Sequence, residues 1–217
     1  MTKIAIIDYD IGNVKSIISA LENVGAEVVL TRDTELINSA DGVVLPGVGA
    51  FSHGMMNLEE YGLDKILQTY ADSGKPLLGI CLGMQMLFSE SEEFGITKGL
   101  GIIDGKIVRL KTLNPQYEKL PHVSWNELLQ TKNTPWKDTI LDGLDNNSNM
   151  YFVHTFAANP TDHANILSST IYSDSTFCSS VKRGNVYGCQ FHPEKSATLG
   201  LLIMKNFVTI CKEHNYD

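Results

Sequence analysis

The sequence predicts an α/β fold: a doubly wound, mostly parallel sheet of flavodoxin-like type, with an antiparallel β extension in the second half. Three observations carry that reading. Short, wholly apolar runs recur through the first half, the pattern of strands covered on both faces. Segments of helical period alternate with them, which is the βαβ rhythm of a parallel sheet. Beyond residue 100 the helical period gives way to strand-like runs separated by Gly, Asn, Asp and Pro turn signals.

Residues 3–8 read as the first strand, with Ile4-Ala5-Ile6-Ile7 ended by Asp8. Residues 13–24 read as a helix, because Val14, Ile17, Ile18 and Leu21 recur at helical spacing. Residues 26–30 and 42–45 give the next two strands, the latter stopped by Pro46-Gly47. A Met- and Leu-rich helix is expected within 55–71, a fourth strand at 76–80 and a helix at about 83–89. In the second half, 102–110, 150–157, 166–172, 177–181 and 186–191 read as strands, and 197–212 as a closing helix. Loops are expected at 114–120 and 142–149. No linker, low-complexity tract or internal repeat is visible, so a single domain over residues 1–217 is expected.

Composition excludes several functions. A formal net charge of -8 argues against a nucleic-acid binder, which needs a basic face. No apolar run approaches the ~20 residues that span a bilayer, and the first apolar run is too short for a signal-peptide core. Cys81, Cys178, Cys189 and Cys211 include no CxxC pair, so a zinc ribbon is not expected. The expected compartment is the reducing cytoplasm. Met55, Met56, Met84 and Met86 read as core filler.

One local pattern carries chemistry. A strand runs into Gly79-Ile80-Cys81-Leu82-Gly83 and then into a helix. This is the nucleophile-elbow arrangement with Cys in place of Ser. The sharp turn forces the central residue into a strained backbone, and flanking glycines let the chains pass closely. The side chain then stands at the sheet's carboxyl end, where the helix N-terminus favours the thiolate.

A nucleophilic Cys needs a base, and the base needs an orienting group. Of six histidines, His192 stands out within Gln190-Phe191-His192-Pro193-Glu194-Lys195-Ser196, just after a predicted strand. His192 and Glu194 are two apart, so an extended segment turns both to one side. Pro193 biases His192 towards that extended state. Cys81, His192 and Glu194 thus form a triad hypothesis. His53 lies near the Pro46 loop but has no carboxylate two residues on, and His122 and His154 read as structural.

Acyl transfer from an amide also needs N–H donors for the oxyanion. Leu82 N–H follows the nucleophile. The loop Pro46-Gly47-Val48-Gly49 lies at the same sheet edge and offers Val48 and Gly49 as further donors. Its glycines permit a peptide flip at low steric cost, a means of switching a donor in or out.

The motifs PGVGAF (46–51), GICLGMQ (79–85) and QFHPEKS (190–196) together resemble the triad, or class I, glutamine amidotransferases. Within that family, DYDIGNVKS (8–16), GLGIIDGKIVRL (99–110), PHVSWNEL (121–128) and YFVHTF (151–156) resemble glutaminase subunits of imidazole glycerol phosphate synthase. The resemblance covers essentially the whole chain. It implies that Cys81 attacks the side-chain amide of L-glutamine, His192 moves protons and Glu194 orients it. Gly49, Leu82, Gln85, Thr155 and Phe156 would hold the substrate. No cofactor is implied. Ammonia would pass to a (β/α)8 cyclase subunit in a heterodimer of histidine biosynthesis, with Asn13 and Lys195 at the partner interface. The sequence departs from the family at Asp10, Ser124 and Phe156, where Gly or a small residue, Gly and Tyr are usual. A similar paralogous group feeds ammonia to a surface-sugar amidotransferase, and the sequence leaves that acceptor open.

Overall fold

Alternation within the first strand sets the architecture. The computed structural model describes residues 1–111, 119–131, 134–173 and 175–214. Strand β1 (Lys3–Ile7) sends Ile4 and Ile6 into one core and Ala5 and Ile7 into another, all fully buried. β2 (Glu27–Thr31) and β3 (Gly42–Leu45) flank it in parallel, and β4 (Leu77–Ile80) extends the sheet beyond β3. With side chains alternating at period two, such a sheet is covered on both faces. One face carries α1 (Val14–Asn23) and the closing helix α6 (Ala197–His214), with Ile17, Leu21, Ile203 and Phe207 in that core. The other carries α2 (Thr34–Ser39), α3 (Phe51–Glu60), α4 (Leu63–Asp72) and α5 (Leu82–Met86).

The second half adds β5 (Phe88–Ser91), β6 (Thr97–Lys98), β7 (Ile103–Arg109), β8 (His122–Glu127) and β9 (Leu129–Gln130), then β10 (Asn149–His154). Next come β11 (Phe156–Pro160), β12 (Ile166–Tyr172), β13 (Ser175–Arg183) and β14 (Val186–Cys189). Among the described residues the main sheet runs β2-β1-β3-β4-β14-β13-β11-β7-β5-β6, with β12 and β9 branching from β13. The doubly wound sheet with its antiparallel extension is therefore present. Two pairings made by strands of the second half are nevertheless parallel: β14 with β4, and β5 with β7. β8 and β10 form a separate two-stranded antiparallel sheet.

Several boundaries differ from the sequence reading. The helix expected within 55–71 is two helices, broken at Tyr61-Gly62, where Gly62 takes φ of 67°. The helix expected at 83–89 stops at Met86, and Phe88–Ser91 is a strand because β7 offers it a pairing edge. The strand expected at 150–157 is two strands in two sheets, with Thr155 at the break. Strand β8 and helix α2 were not anticipated. The Asp33 carboxylate caps α2, accepting from Glu35 N and Leu36 N at 2.9 Å each. Of the loop expected at 114–120, only Lys119 and Leu120 are among the described residues, and they belong to no element. Met55, Met84 and Met86 fill the core, but Met56 is half exposed on the outer face of α3.

Candidate active site

Three neighbouring parallel strands, β3, β4 and β14, end side by side at one edge of the sheet. Each releases one part of the site. The oxyanion loop follows β3, Cys81 follows β4, and His192 follows β14. Chain segments more than a hundred residues apart thus converge because strand order, not sequence distance, sets their spacing.

At the elbow, Cys81 has φ of 54° and ψ of −109°. A β-carbon penalty attends any non-glycine residue with positive φ, so the turn is strained where the nucleophile sits. Glycine is required on both sides. A Cβ on Gly79 would lie 2.7 Å from Met84 N, and one on Gly83 would collide with the Leu45 carbonyl. Cys81 N–H donates to Cys189 O at 2.7 Å, tying the elbow to β14. The thiol was expected to stand exposed. It is buried, because β10 crosses it: Val153 O lies 3.9 Å from Sγ.

His192 keeps an extended backbone, as Pro193 dictates, but Pro193–Lys195 then turns as a 3₁₀ helix. That turn brings Glu194 back, and His192 Nδ1–H donates to Glu194 Oε1 at 2.8 Å. Both side chains are buried. Ser196, which the sequence reading passed over, anchors the loop: its Oγ donates to His192 O at 2.7 Å and accepts from Tyr151 N at 3.0 Å. Burial pushes the His192 pKa down, but Cys81 and Glu194 outweigh it and raise the pKa to about 9. Nε2 is buried with no hydrogen-bond partner among the described residues, which leaves it free for proton transfer.

These groups meet at a cavity of about 360 Å³ lined by Val48, Gly49, Cys81, Leu82, Gln85, Glu93, Pro121, Val153, His154, Thr155, Phe156 and His192. Every residue expected to bind substrate or oxyanion is there. Gly49 has φ of 99° with open space around it, so the loop retains freedom there. Upstream the loop is held: Tyr9 Oη donates to Pro46 O at 2.6 Å, and Gly47 lies too close to Tyr9 and Leu82 to admit a side chain. Glu93 was missed. It comes from the turn after β5, its Oε2 accepts from Phe51 N at 2.7 Å, and no local motif announces it. Asn13 and Lys195 lie outside the cavity but at the same sheet edge, following β1 and β14. His53 is exposed on α3 and does not line the cavity.

Behind the cavity lies a buried polar chain. His154 Nδ1–H donates to Phe156 O at 2.8 Å, so in the neutral ring Nε2 is an acceptor. His122 Nδ1–H fills it at 3.0 Å, and the Ser124 hydroxyl donates to His122 Nε2 at 2.9 Å. Burial lowers the pKa of His122 to about 4 and of His154 to about 3, so both rings stay neutral. Ser124, unusual for the family that the motifs resemble, thus caps the pair. Asp10 has φ of 65°, a conformation glycine adopts freely, and its carboxylate is held by Tyr61 Oη and by Arg32 at 2.8 Å.

A larger cavity of about 550 Å³ lies between β7, β11 and β13, with Cys178 in its lining. Burial pushes that thiol up to about 12, so it is a poor nucleophile. Among the described residues, no group of three His, Cys, Asp or Glu could hold a metal ion, and no helix is long and apolar enough to cross a membrane.

Residues 5–211 match the family described as glutamine amidotransferase class-I. The chain belongs to the class-I glutamine amidotransferases. Among curated members it is 44% identical to imidazole glycerol phosphate synthase subunit HisH 1 of Legionella pneumophila (strain Lens), covering 97% of this chain and 100% of that one. It is 46% identical to subunit HisH of Bacillus cereus (strain G9842), covering 94% of this chain and 93% of that one. Among solved structures, PurLQS from Thermotoga maritima superposes with a TM-score of 0.70 at 20% identity, covering 98% of each chain. That likeness shows a shared fold over nearly the whole of both chains.

Proposed function

We propose that this amidotransferase is the glutaminase subunit of imidazole glycerol phosphate synthase, hydrolysing L-glutamine and handing ammonia to a partner in histidine biosynthesis. One observation carries the chemistry: a cysteine on a strained elbow shares one cavity with His192, whose ring is held from behind by the buried Glu194. The names and full-length coverage of its curated relatives support the pathway over a surface-sugar acceptor.

In this reading the Cys81 sulfur attacks the side-chain carbonyl carbon of glutamine. The oxyanion develops opposite the N–H groups of Leu82 and of the Val48–Gly49 loop. His192, held by Glu194, gives a proton to the departing nitrogen, and ammonia leaves a glutamyl thioester. Water, deprotonated by the same imidazole, then cleaves the thioester to glutamate. Gln85, Thr155 and Phe156 hold the substrate, and the Glu93 carboxylate suits its ammonium group. The route uses no cofactor.

The partner is read as a (β/α)8 cyclase forming a heterodimer across the sheet edge that carries Asn13 and Lys195. Exposed Val48, Val123 and Trp125 give that region apolar surface. A single catalytic domain working in the cytoplasm fits the same reading. Cys81→Ala in complex with the cyclase should lose glutamine-dependent synthesis and keep synthesis from ammonium salts. Glutamine hydrolysis surviving in folded Cys81→Ala would overturn the chemistry. Activity with a sugar amidotransferase but not with the cyclase would overturn the pathway.

A further inference from the structure

Besides His192, the Cys81 sulfur has two neighbours of opposite character. Val153 O, at 3.9 Å, can accept only from a thiol. The Gln190 amide nitrogen, at 3.8 Å, can donate to a thiolate. Gln190 is fully buried, its backbone N–H donating to Ser179 O, so its side chain has little freedom to turn elsewhere.

A carboxamide can present either its nitrogen or its oxygen, and here the choice is fixed two links away. Phe156 O is a carbonyl and can only accept. The Gln85 atom 3.0 Å from it must therefore be Nε2. The second hydrogen of that nitrogen goes to Gln190 Oε1, also at 3.0 Å. With its oxygen so engaged, Gln190 must turn Nε2 to the sulfur. Flipping Gln190 would set two NH2 groups against each other and place a carbonyl oxygen beside the nucleophile. Flipping Gln85 would face oxygen against oxygen at Phe156. One backbone carbonyl thus sets the polarity of both amides.

We propose that Gln190 stabilises the Cys81 thiolate by donating its side-chain N–H to Sγ, and that Gln85 is a positioning residue that holds Gln190 in the donating orientation. Substrate attack then starts from an anion with a fixed donor besides His192. Gln85 has two roles at one amide: both hydrogens orient Gln190 and itself, leaving Oε1 for the cavity. The proposal rests on the reading of Cys81 as nucleophile.

The other groups bearing on Cys81 are His192 and Glu194 after β14, Tyr9 at the end of β1, His154 at the end of β10 and Glu93 after β5. None changes in a Gln190 variant, so comparison with the parent isolates the amide. The test is the pH dependence of iodoacetamide alkylation at Cys81 in the intact protein, followed by peptide mapping. Cys178, Cys189 and Cys211 are buried with thiols pushed up, so they stay silent. In Gln190→Leu the alkylation midpoint should rise by about one pH unit, a tenfold loss of thiolate at pH values below the midpoint. In Gln190→Glu, which keeps the acceptor for Gln85 but puts oxygen beside the sulfur, it should rise further. Glutamine kcat/KM should fall about tenfold below the parent midpoint, and the gap should close above the variant midpoint, which misfolding would not produce. An unchanged midpoint in either folded variant overturns the proposal. If neither folds, the side-chain amide resonance of Gln190 in the ¹⁵N-glutamine-labelled parent decides. It should shift downfield as Cys81 ionises, and no movement through that titration overturns the proposal. Failure of the glutaminase reading would register separately, as glutamine hydrolysis that survives Cys81→Ala.

Discussion

His192 and the His122–His154 pair are buried to a similar degree, at 2%, 0% and 6% relative exposure, yet they are driven in opposite directions. His192 faces a carboxylate and a sulfur, and its pKa rises to about 9. His122 and His154 face each other, a hydroxyl and a carbonyl, and fall to about 4 and about 3. Burial alone disfavours every one of these cations. What separates the proton carrier from the structural pair is the charge of the partner, so burial of a histidine says little about its role until its neighbours are known.

The largest expected effect breaks the comparison at its catalytic side. His192→Asn should lower glutamine kcat by about 10⁴-fold or more, and Glu194→Gln by about 10²–10³-fold, since orienting groups cost less when removed singly. His154→Asn should instead cost about 1–3 kcal/mol of stability by stranding buried partners, with kcat reduced less than about tenfold. Denaturation and single-turnover kinetics on the three variants separate these outcomes. A greater chemical defect in His154→Asn than in His192→Asn would assign the base to the wrong ring.

The pH dependence of stability sharpens the contrast. His192 has its folded pKa raised from 6.5 to about 9, so its contribution is complete below pH 6.5 and is lost as pH rises through 9. His122 and His154 have theirs lowered from 6.5 to about 4 and about 3, so their contribution is present above pH 6.5 and is lost as pH falls through those values. Urea denaturation between pH 4 and 10 should show a plateau near neutrality, with slopes of up to about 1.4 kcal/mol per pH unit for each group that titrates. His192→Asn should make the alkaline limb alone shallower, leaving the share of the buried thiols Cys178, Cys189 and Cys211, and His154→Asn the acid limb alone, leaving the share of His122. An alkaline limb of unchanged slope in His192→Asn would remove the charged-pair account.

The smallest effect concerns the cap of the structural pair. Ser124→Gly removes the donor to His122 Nε2 and should cost about 1 kcal/mol, while glutamine turnover stays within about twofold. A large loss of turnover at unchanged stability would show that the pair acts on the chemistry and not only on the fold.

Much of the parallel half was legible because its signals are local. Ile4–Ile7 and Val43–Leu45 declare buried strands by composition, and Gly79, Cys81 and Gly83 declare the elbow by spacing. The break at Gly62 and helix α2 were missed although both carried local signals, a glycine inside a helical run and the cap Asp33-Thr34-Glu35. The antiparallel half resists such reading. Nothing in Met150 to Ala157 marks Thr155 as the point where the chain leaves one sheet for another; that depends on β8 and β7, which lie far off in sequence. The same holds for the site. Cys81, His192 and Glu194 sit in compact motifs, whereas Glu93 and the donating face of Gln190 are products of the assembled fold.

Gly47, Gly79 and Gly83 crowd the elbow so closely that a single methyl group at any of them would strike a neighbour, and at all three a backbone atom is among those struck. In a genetic selection on histidine-free medium these positions would therefore score like Cys81, although they perform no chemistry. The two classes part company on protein abundance. On the proposed function, replacement of Cys81 should leave a folded subunit that accumulates and competes for the partner, whereas replacement of an elbow glycine should lower the subunit's abundance. Dominance when co-expressed with the parent chain is thus a property of the nucleophile and not of the turn that holds it.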